Sequence, residues 1–189
     1  LRQLGIAIPE LDAAKVLEIE GKGLRSFKSP DDVLDCGNSG TTTRLLMGLV
    51  AGQPISAAFT GDASLRSGRM RRVTGPLTQM GAHVTELGEP GTLPLRIDGA
   101  NLRAFSYASE HASAQVKSAL LLAGLVSGVE IIVREPSASR DHTERMLSAL
   151  GAPVAEETNA YAEHTVRLEP VDRLKPFDIA VPGDFSSAA

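Results

Sequence analysis

Leu34-Asp35-Cys36-Gly37-Asn38-Ser39-Gly40-Thr41-Thr42-Thr43-Arg44-Leu45-Leu46 is the stretch that decides the fold. The apolar pair Val33-Leu34 runs into a small, polar, glycine-rich turn, and an apolar segment from Leu45 to Val50 follows. That order predicts a strand, a tight turn and the start of a helix. A strand-to-helix turn leaves backbone N–H groups unpaired at the positive end of the helix, where an anion can sit. Gly37 and Gly40 let the backbone approach a ligand with no Cβ in the way. The same residues also fit a plain strand–helix connection capped by Asn38 or Ser39, so two readings stand at this point.

The architecture recurs. Gly48-Leu49-Val50-Ala51-Gly52 matches Gly124-Leu125-Val126-Ser127-Gly128, and Met80-Gly81-Ala82-His83-Val84 matches Leu150-Gly151-Ala152-Pro153-Val154. Leu4-Gly5-Ile6-Ala7-Ile8 resembles a third copy of the latter. Alternating apolar residues in Lys15–Glu20, Leu93–Asp98 and Thr165–Glu169 predict three half-buried strands. The repeat is too long for a solenoid unit and indicates a duplicated module.

In the middle copy, helices are predicted over Gly40–Val50 and Arg69–Met80, the latter with Val73, Leu77 and Met80 on one stripe. Strands fall at Ile55–Thr60, Val84–Glu86 and Leu95–Asp98, the last two joined near Glu89-Pro90-Gly91. The following copy repeats the order with Ala114–Leu125, Val129–Arg134, His142–Leu150, Val154 and Val166–Leu168. Alternating strands and helices make the class α/β, or α+β with helices packed on sheets. The expected organisation is a partial first unit over residues 1–33, a second over 34–104 and a third over 105–175. Residues 181–189 then form a crossover, with Phe177-Asp178-Ile179-Ala180-Val181 as a strand leading into it. The chain opens on Leu1 in what reads as the tail of a helix and ends just past Gly183-Asp184, so both ends are expected to cut through a module.

With 189 residues, 42% of them hydrophobic, the chain can bury one ordinary core or two small ones. Only 4% is aromatic, there is no Trp and the net charge is −4, which argues against a nucleic-acid partner. Cys36 stands alone, so there is no disulfide and no cysteine metal site, as expected for a cytoplasmic protein. The longest apolar run, Ala119–Val126, is too short to span a membrane. His83, His111 and His164 have no metal spacing and are expected on the surface, and neither metal nor cofactor is expected.

Basic residues cluster against this acidic background. Arg66, Arg69, Arg71 and Arg72 follow the turn Thr60-Gly61-Asp62-Ala63-Ser64. Arg71 and Arg72 fit a solvated helix face. Arg66 and Arg69 are read at a helix entrance, where a cation is unfavourable unless it serves an anion. Arg134 to Glu144 repeats the pattern, with Ser139 or Asp141 as cap and Glu144 supporting the turn. Lys117 is expected to face solvent, with the cleft as the alternative.

Cys36–Leu45 resembles the glycine-rich motif of the 5-enolpyruvylshikimate-3-phosphate synthase family. Ser113-Ala114-Gln115-Val116-Lys117-Ser118-Ala119, Ser139-Arg140-Asp141-His142-Thr143-Glu144-Arg145-Met146-Leu147 and Val181-Pro182-Gly183-Asp184-Phe185-Ser186-Ser187-Ala188-Ala189 resemble three more of its signatures, in order. The resemblance covers the whole chain and implies most of one of two domains of an enolpyruvyl transferase. It implies βαβαββ units around a pseudo-threefold axis. It also implies a step of the shikimate pathway of aromatic amino-acid biosynthesis: transfer of the enolpyruvyl group of phosphoenolpyruvate to the 5-hydroxyl of shikimate 3-phosphate.

By the same resemblance, Ser113, Ala114, Gln115, Ser139 and Arg140 would hold shikimate 3-phosphate. Asn38, Gly40, Arg69 and Gln115 would line the phosphoenolpyruvate side, where a methyl at Gly40 would intrude on the ligand. No catalytic residue is expected in this chain. The general acid and base would come from the missing second domain, and the protein would act as a monomer. One departure stands out: Ser64-Leu65-Arg66-Ser67-Gly68-Arg69-Met70 has glycine where the family carries an arginine. Arg69 is the favoured substitute and Arg66 the alternative. Two further readings are a non-catalytic anion-binding module and the sibling transferase acting on UDP-N-acetylglucosamine. The latter's loop carries a cysteine that Ala63–Arg69 lacks.

Overall fold

The computed structural model describes residues 1–10 and 16–180. Strand β1 (Leu34–Asp35) enters the turn and helix α1 (Gly40–Ala51) leaves it. Strand β2 (Ser56–Thr60), a single-turn helix α2 (Ala63–Arg66) and helix α3 (Arg71–Met80) follow, and then the hairpin β3 (His83–Glu86) and β4 (Leu95–Asp98). The next unit repeats this with β5 (Phe105–Ala108), α4 (Ala114–Ser127), β6 (Ile131–Glu135), α5 (His142–Ala149), β7 (Val154–Thr158) and β8 (His164–Leu168).

Each unit forms a four-stranded sheet of the same order, β1-β2-β4-β3 and β5-β6-β8-β7. In both, the first pair is parallel, as a strand–helix–strand crossover requires, and the other pairs are antiparallel. The duplication inferred from sequence is therefore real at the level of strand order.

The sheets pack on a shared helical core. α4 contacts both α1 and α3 and is buried on nearly every side, as its almost unbroken apolar sequence requires. The predicted stripe of α3, Val73, Leu77 and Met80, is buried entirely. α1 and α4 run in parallel and touch backbone to backbone. An added Cβ would lie 2.1 Å from the Ala119 carbonyl oxygen at Gly48, and 2.5 Å from that of Ala123 at Gly52. One turn before these, Arg44 meets Gln115, so three successive turns of the helices stay in one register. Glycine at 48 and 52 is what permits the approach.

Several expectations need correction. Residues 16–20 form no strand and are all exposed; Lys15 lies outside the described residues. Their alternation is genuine, but no neighbouring backbone among the described residues offers them a ladder. Phe177–Ala180 likewise carry no strand pairing, and Val181 onward lies outside the described residues. The second helix of the middle unit starts at Arg71 rather than Arg69, because α2 intervenes. Asp62 caps α2 by accepting from the Leu65 amide at 2.8 Å. Arg66 thus lies in the last turn of α2, where a cation suits the helix dipole, and not at a helix entrance. His164 is buried rather than on the surface: it bonds Thr158 Oγ1 at 2.9 Å and lies 3.3 Å from Glu156 across the β7–β8 hairpin. Arg71 is exposed as expected but pairs with Glu86 at 3.2 Å, and Glu86 also accepts from the Gly91 amide at 2.8 Å, which closes the β3–β4 turn.

Candidate active site

The turn before α1 is held by its own polar groups. The Gly37 amide donates to Asp35 Oδ1 at 2.9 Å, with Gly37 at φ +56°, a conformation glycine adopts without strain. Ser39 caps α1 by accepting from the Thr42 amide at 3.2 Å. Asn38 donates to Asp62 Oδ2 at 2.5 Å, tying this turn to the α2 turn. That bond, then the Leu65 amide, holds the Asp62 carboxyl below its ordinary value. The Asn38 side-chain amide is thus tied to Asp62, and Asn38 is not among the residues that line the Gln115 cavity described next.

At the parallel N-terminal ends of α1 and α4, Gln115 is gripped at both ends of its amide. Arg44 Nη1 donates to its Oε1 at 3.0 Å, and its Nε2 donates to Thr41 Oγ1 at 2.7 Å. This pairing fixes the amide orientation and leaves the second N–H of Nε2 with no acceptor among the described residues. Burial, and then the Arg72 guanidinium, pull Arg44 below its ordinary value. Arg72 is thus close to the site, a neighbour that its place in an exposed arginine run did not reveal.

A cavity of about 200 Å³ opens beside Gln115, lined by Thr41, Leu45, Ala114, Ser118, Arg140, His142 and Thr143 as well. Thr143 and Ser118 hydroxyls meet at 2.7 Å and bind the start of α5 to α4. Three turns distant in sequence therefore converge: Thr41 from the first, Ala114 and Gln115 from the second, Arg140 from the third. Gly40 immediately precedes Thr41 of this lining and is not itself part of it. The atom nearest to a Cβ at Gly40 is Arg44 Nη1, at 2.5 Å, rather than open ligand space. Gly40→Ala is accordingly expected to leave folding within about 1 kcal/mol of the wild type, since a flexible guanidinium can move. It should nevertheless break the Arg44–Gln115 bond. A thermal melt paired with an NMR spectrum checks this: the melt should barely move while the Gln115 side-chain amide resonances shift.

Not every predicted residue shares that cavity. Ser113, the N-cap of α4, lines a second one with Arg72, Tyr107, Ser109 and His111. Arg69 lines a third, with Ser67, Arg71, Arg72 and Gly91. Ser139 is not part of the Gln115 cavity lining, and its hydroxyl donates to Glu135 Oε2 at 2.8 Å.

Lys117 faces neither solvent nor cleft. It is wholly buried between Glu144 Oε1 at 2.6 Å and Glu135 Oε2 at 3.0 Å. Glu144 is equally buried and serves this ion pair rather than the α5 turn. A lysine within an apolar helix signals such a pair only when its distant carboxylates are known to lie opposite.

Two copies of one βαβαββ arrangement thus bring Thr41, Gln115 and Arg140 to the edge of a single small cavity. The EPSP synthase (3-phosphoshikimate 1-carboxyvinyltransferase) family model matches residues 1–189. The 3-phosphoshikimate 1-carboxyvinyltransferases of Thermodesulfovibrio yellowstonii and Desulforamulus reducens are each 48% identical over all of this chain and 43% of their own length. An EPSP synthase structure from Acinetobacter baumannii superposes with a TM-score of 0.84 at 42% identity, over 99% of this chain and 41% of that one. The chain belongs to the EPSP synthase family and has its enolpyruvyl transferase fold, and it spans less than half the length of the curated relatives it matches.

Proposed function

We propose that this chain supplies one wall of the cleft in which the enolpyruvyl group of phosphoenolpyruvate passes to the 5-hydroxyl of shikimate 3-phosphate. In that reaction the hydroxyl oxygen bonds to C2 of phosphoenolpyruvate while C3 takes up a proton. The tetrahedral adduct then expels phosphate and returns the C3 proton. Both substrates are anions, which suits guanidinium groups and unpaired helix amides. The observation that carries this reading is the convergence of Thr41, Gln115 and Arg140 on one cavity.

In this reading Ser113, Ala114, Gln115, Ser139 and Arg140 hold shikimate 3-phosphate. Asn38, Gly40 and Gln115 face phosphoenolpyruvate, and Arg69 reaches across from the neighbouring cavity in place of the guanidinium lacking at Gly68. A monomer completed by a second domain belongs to the same reading. Units 34–104 and 105–175 are read as two modules of the first domain, residues 1–33 as part of another, and the setting as the cytoplasm. Among the described residues no helix is long and apolar enough to cross a membrane.

Calorimetric titration tests the assignment. Shikimate 3-phosphate should bind this chain more tightly than inorganic phosphate or UDP-N-acetylglucosamine, and a coupled phosphate-release assay should show no turnover by the chain alone. Equal response to all phosphates would favour a general anion-binding module instead.

A further inference from the structure

We infer that Glu135, neutralised by Lys117, is a positioning residue that sets the spacing between the two serine segments of the proposed shikimate 3-phosphate wall; this rests on the functional reading above. Glu135 ends β6 and is 2% exposed. One of its oxygens accepts from the Ser113 backbone amide at 2.7 Å and the other from the Ser139 hydroxyl at 2.8 Å. A single carboxylate therefore spans the start of α4 and the loop before α5, segments that no backbone ladder joins. Because the Ser113 side chain makes no capping bond, its hydroxyl is left outside the brace while its backbone is pinned.

The brace has an electrostatic requirement. A bare carboxylate directly behind a site for a phosphate ester would repel the ligand. Lys117 removes that repulsion from within the helix that carries Gln115, and Glu144 pins Lys117 from the far side. Burial alone would raise the Glu135 carboxyl, but the Ser113 amide, the Ser139 hydroxyl and Lys117 together bring it below its ordinary value. Glu135 is thus held ionised, the state in which both oxygens accept. Glu144 touches Lys117 but neither serine segment, and this asymmetry separates positioning from mere stability.

The test is calorimetric titration of shikimate 3-phosphate into wild type, Glu135→Gln and Glu144→Gln, at a temperature where melts show all three folded. Glu135→Gln should weaken binding about ten- to a hundredfold, the loss expected for charge-assisted hydrogen bonds. Glu144→Gln should lower the melting temperature yet stay within about twofold of wild-type affinity. Equal weakening by both variants, or none by either, would overturn the inference. Should Glu135→Gln not fold, Glu135→Asp keeps the charge but withdraws it by one methylene; wild-type affinity in that variant would also overturn it. If the wild type itself fails to bind shikimate 3-phosphate, the functional reading falls. The brace is then decided by amide resonances: those of Ser113 and Ser139 should move in the Glu135 variants and hold in Glu144→Gln, and their failure to move refutes it.

Discussion

Replacing Lys117 with alanine is expected to lower stability by about 3–5 kcal/mol, because two buried carboxylates would face each other with no cation between them. For a chain of this size that corresponds to a fall in melting temperature of about 6–20 °C. Lys117 and Glu144 are fully buried and Glu135 nearly so, so water cannot screen the exposed charge. Burial and the two carboxylates act oppositely on the lysine; the carboxylates prevail and its ammonium is held above its ordinary value. The cost comes from breaking the cluster rather than from any large net benefit of having it. A triple variant, Lys117→Met with Glu135→Leu and Glu144→Leu, should therefore regain most of the lost stability. Melts of the two variants check this. A Lys117→Ala protein as stable as wild type would mean that the buried triad is not formed.

Gly48→Ala should cost about 3 kcal/mol or more, at the upper end of overpacking effects, even though alanine favours helix. The new methyl would stand 2.1 Å from the Ala119 carbonyl oxygen, with backbone on both sides and nothing flexible to yield. Only separation of α1 from α4 relieves the clash. Because Arg44 and Gln115 lie one turn toward the helix starts in the same register, that separation should also break their 3.0 Å bond. The variant thus links packing to the site: denaturant titration should show the stability loss, and under the proposed function phosphoenolpyruvate affinity should fall with it. Stability equal to wild type would contradict the observed helix approach.

Much of this was legible in the sequence because local chemistry governs it. The turn before α1 announced itself through Gly37, Ser39 and Gly40, and the hairpins through alternation and the Pro90-Gly91 turn. What escaped had a physical reason. α2 is a single turn with one cap, shorter than any periodic signal. The alternation of residues 16–20 predicted a strand, yet a strand exists only with a partner, and pairing is not local. Lys117 read as a solvated helical lysine since its carboxylates lie in β6 and α5, brought opposite only by folding. The contact of Arg44 with Gln115 depends on the glycine-lined approach of two helices, which repeats in sequence suggest but do not locate. The four motifs carried the family, whereas the individual contacts of Asn38 and Arg69 depended on neighbours invisible in a linear reading.

Thr41, Gln115 and Arg140, from three separated turns, meet at one cavity, and the proposed function makes it a pocket for an anion. Its most direct test is a two-dimensional amide NMR titration of this chain with shikimate 3-phosphate. The resonances of Thr41, Gln115 and Arg140 should shift together along one saturating curve, and inorganic phosphate should reproduce only part of the pattern. Shifts scattered over unrelated surfaces, or confined to one turn while the other two stay still, would contradict it.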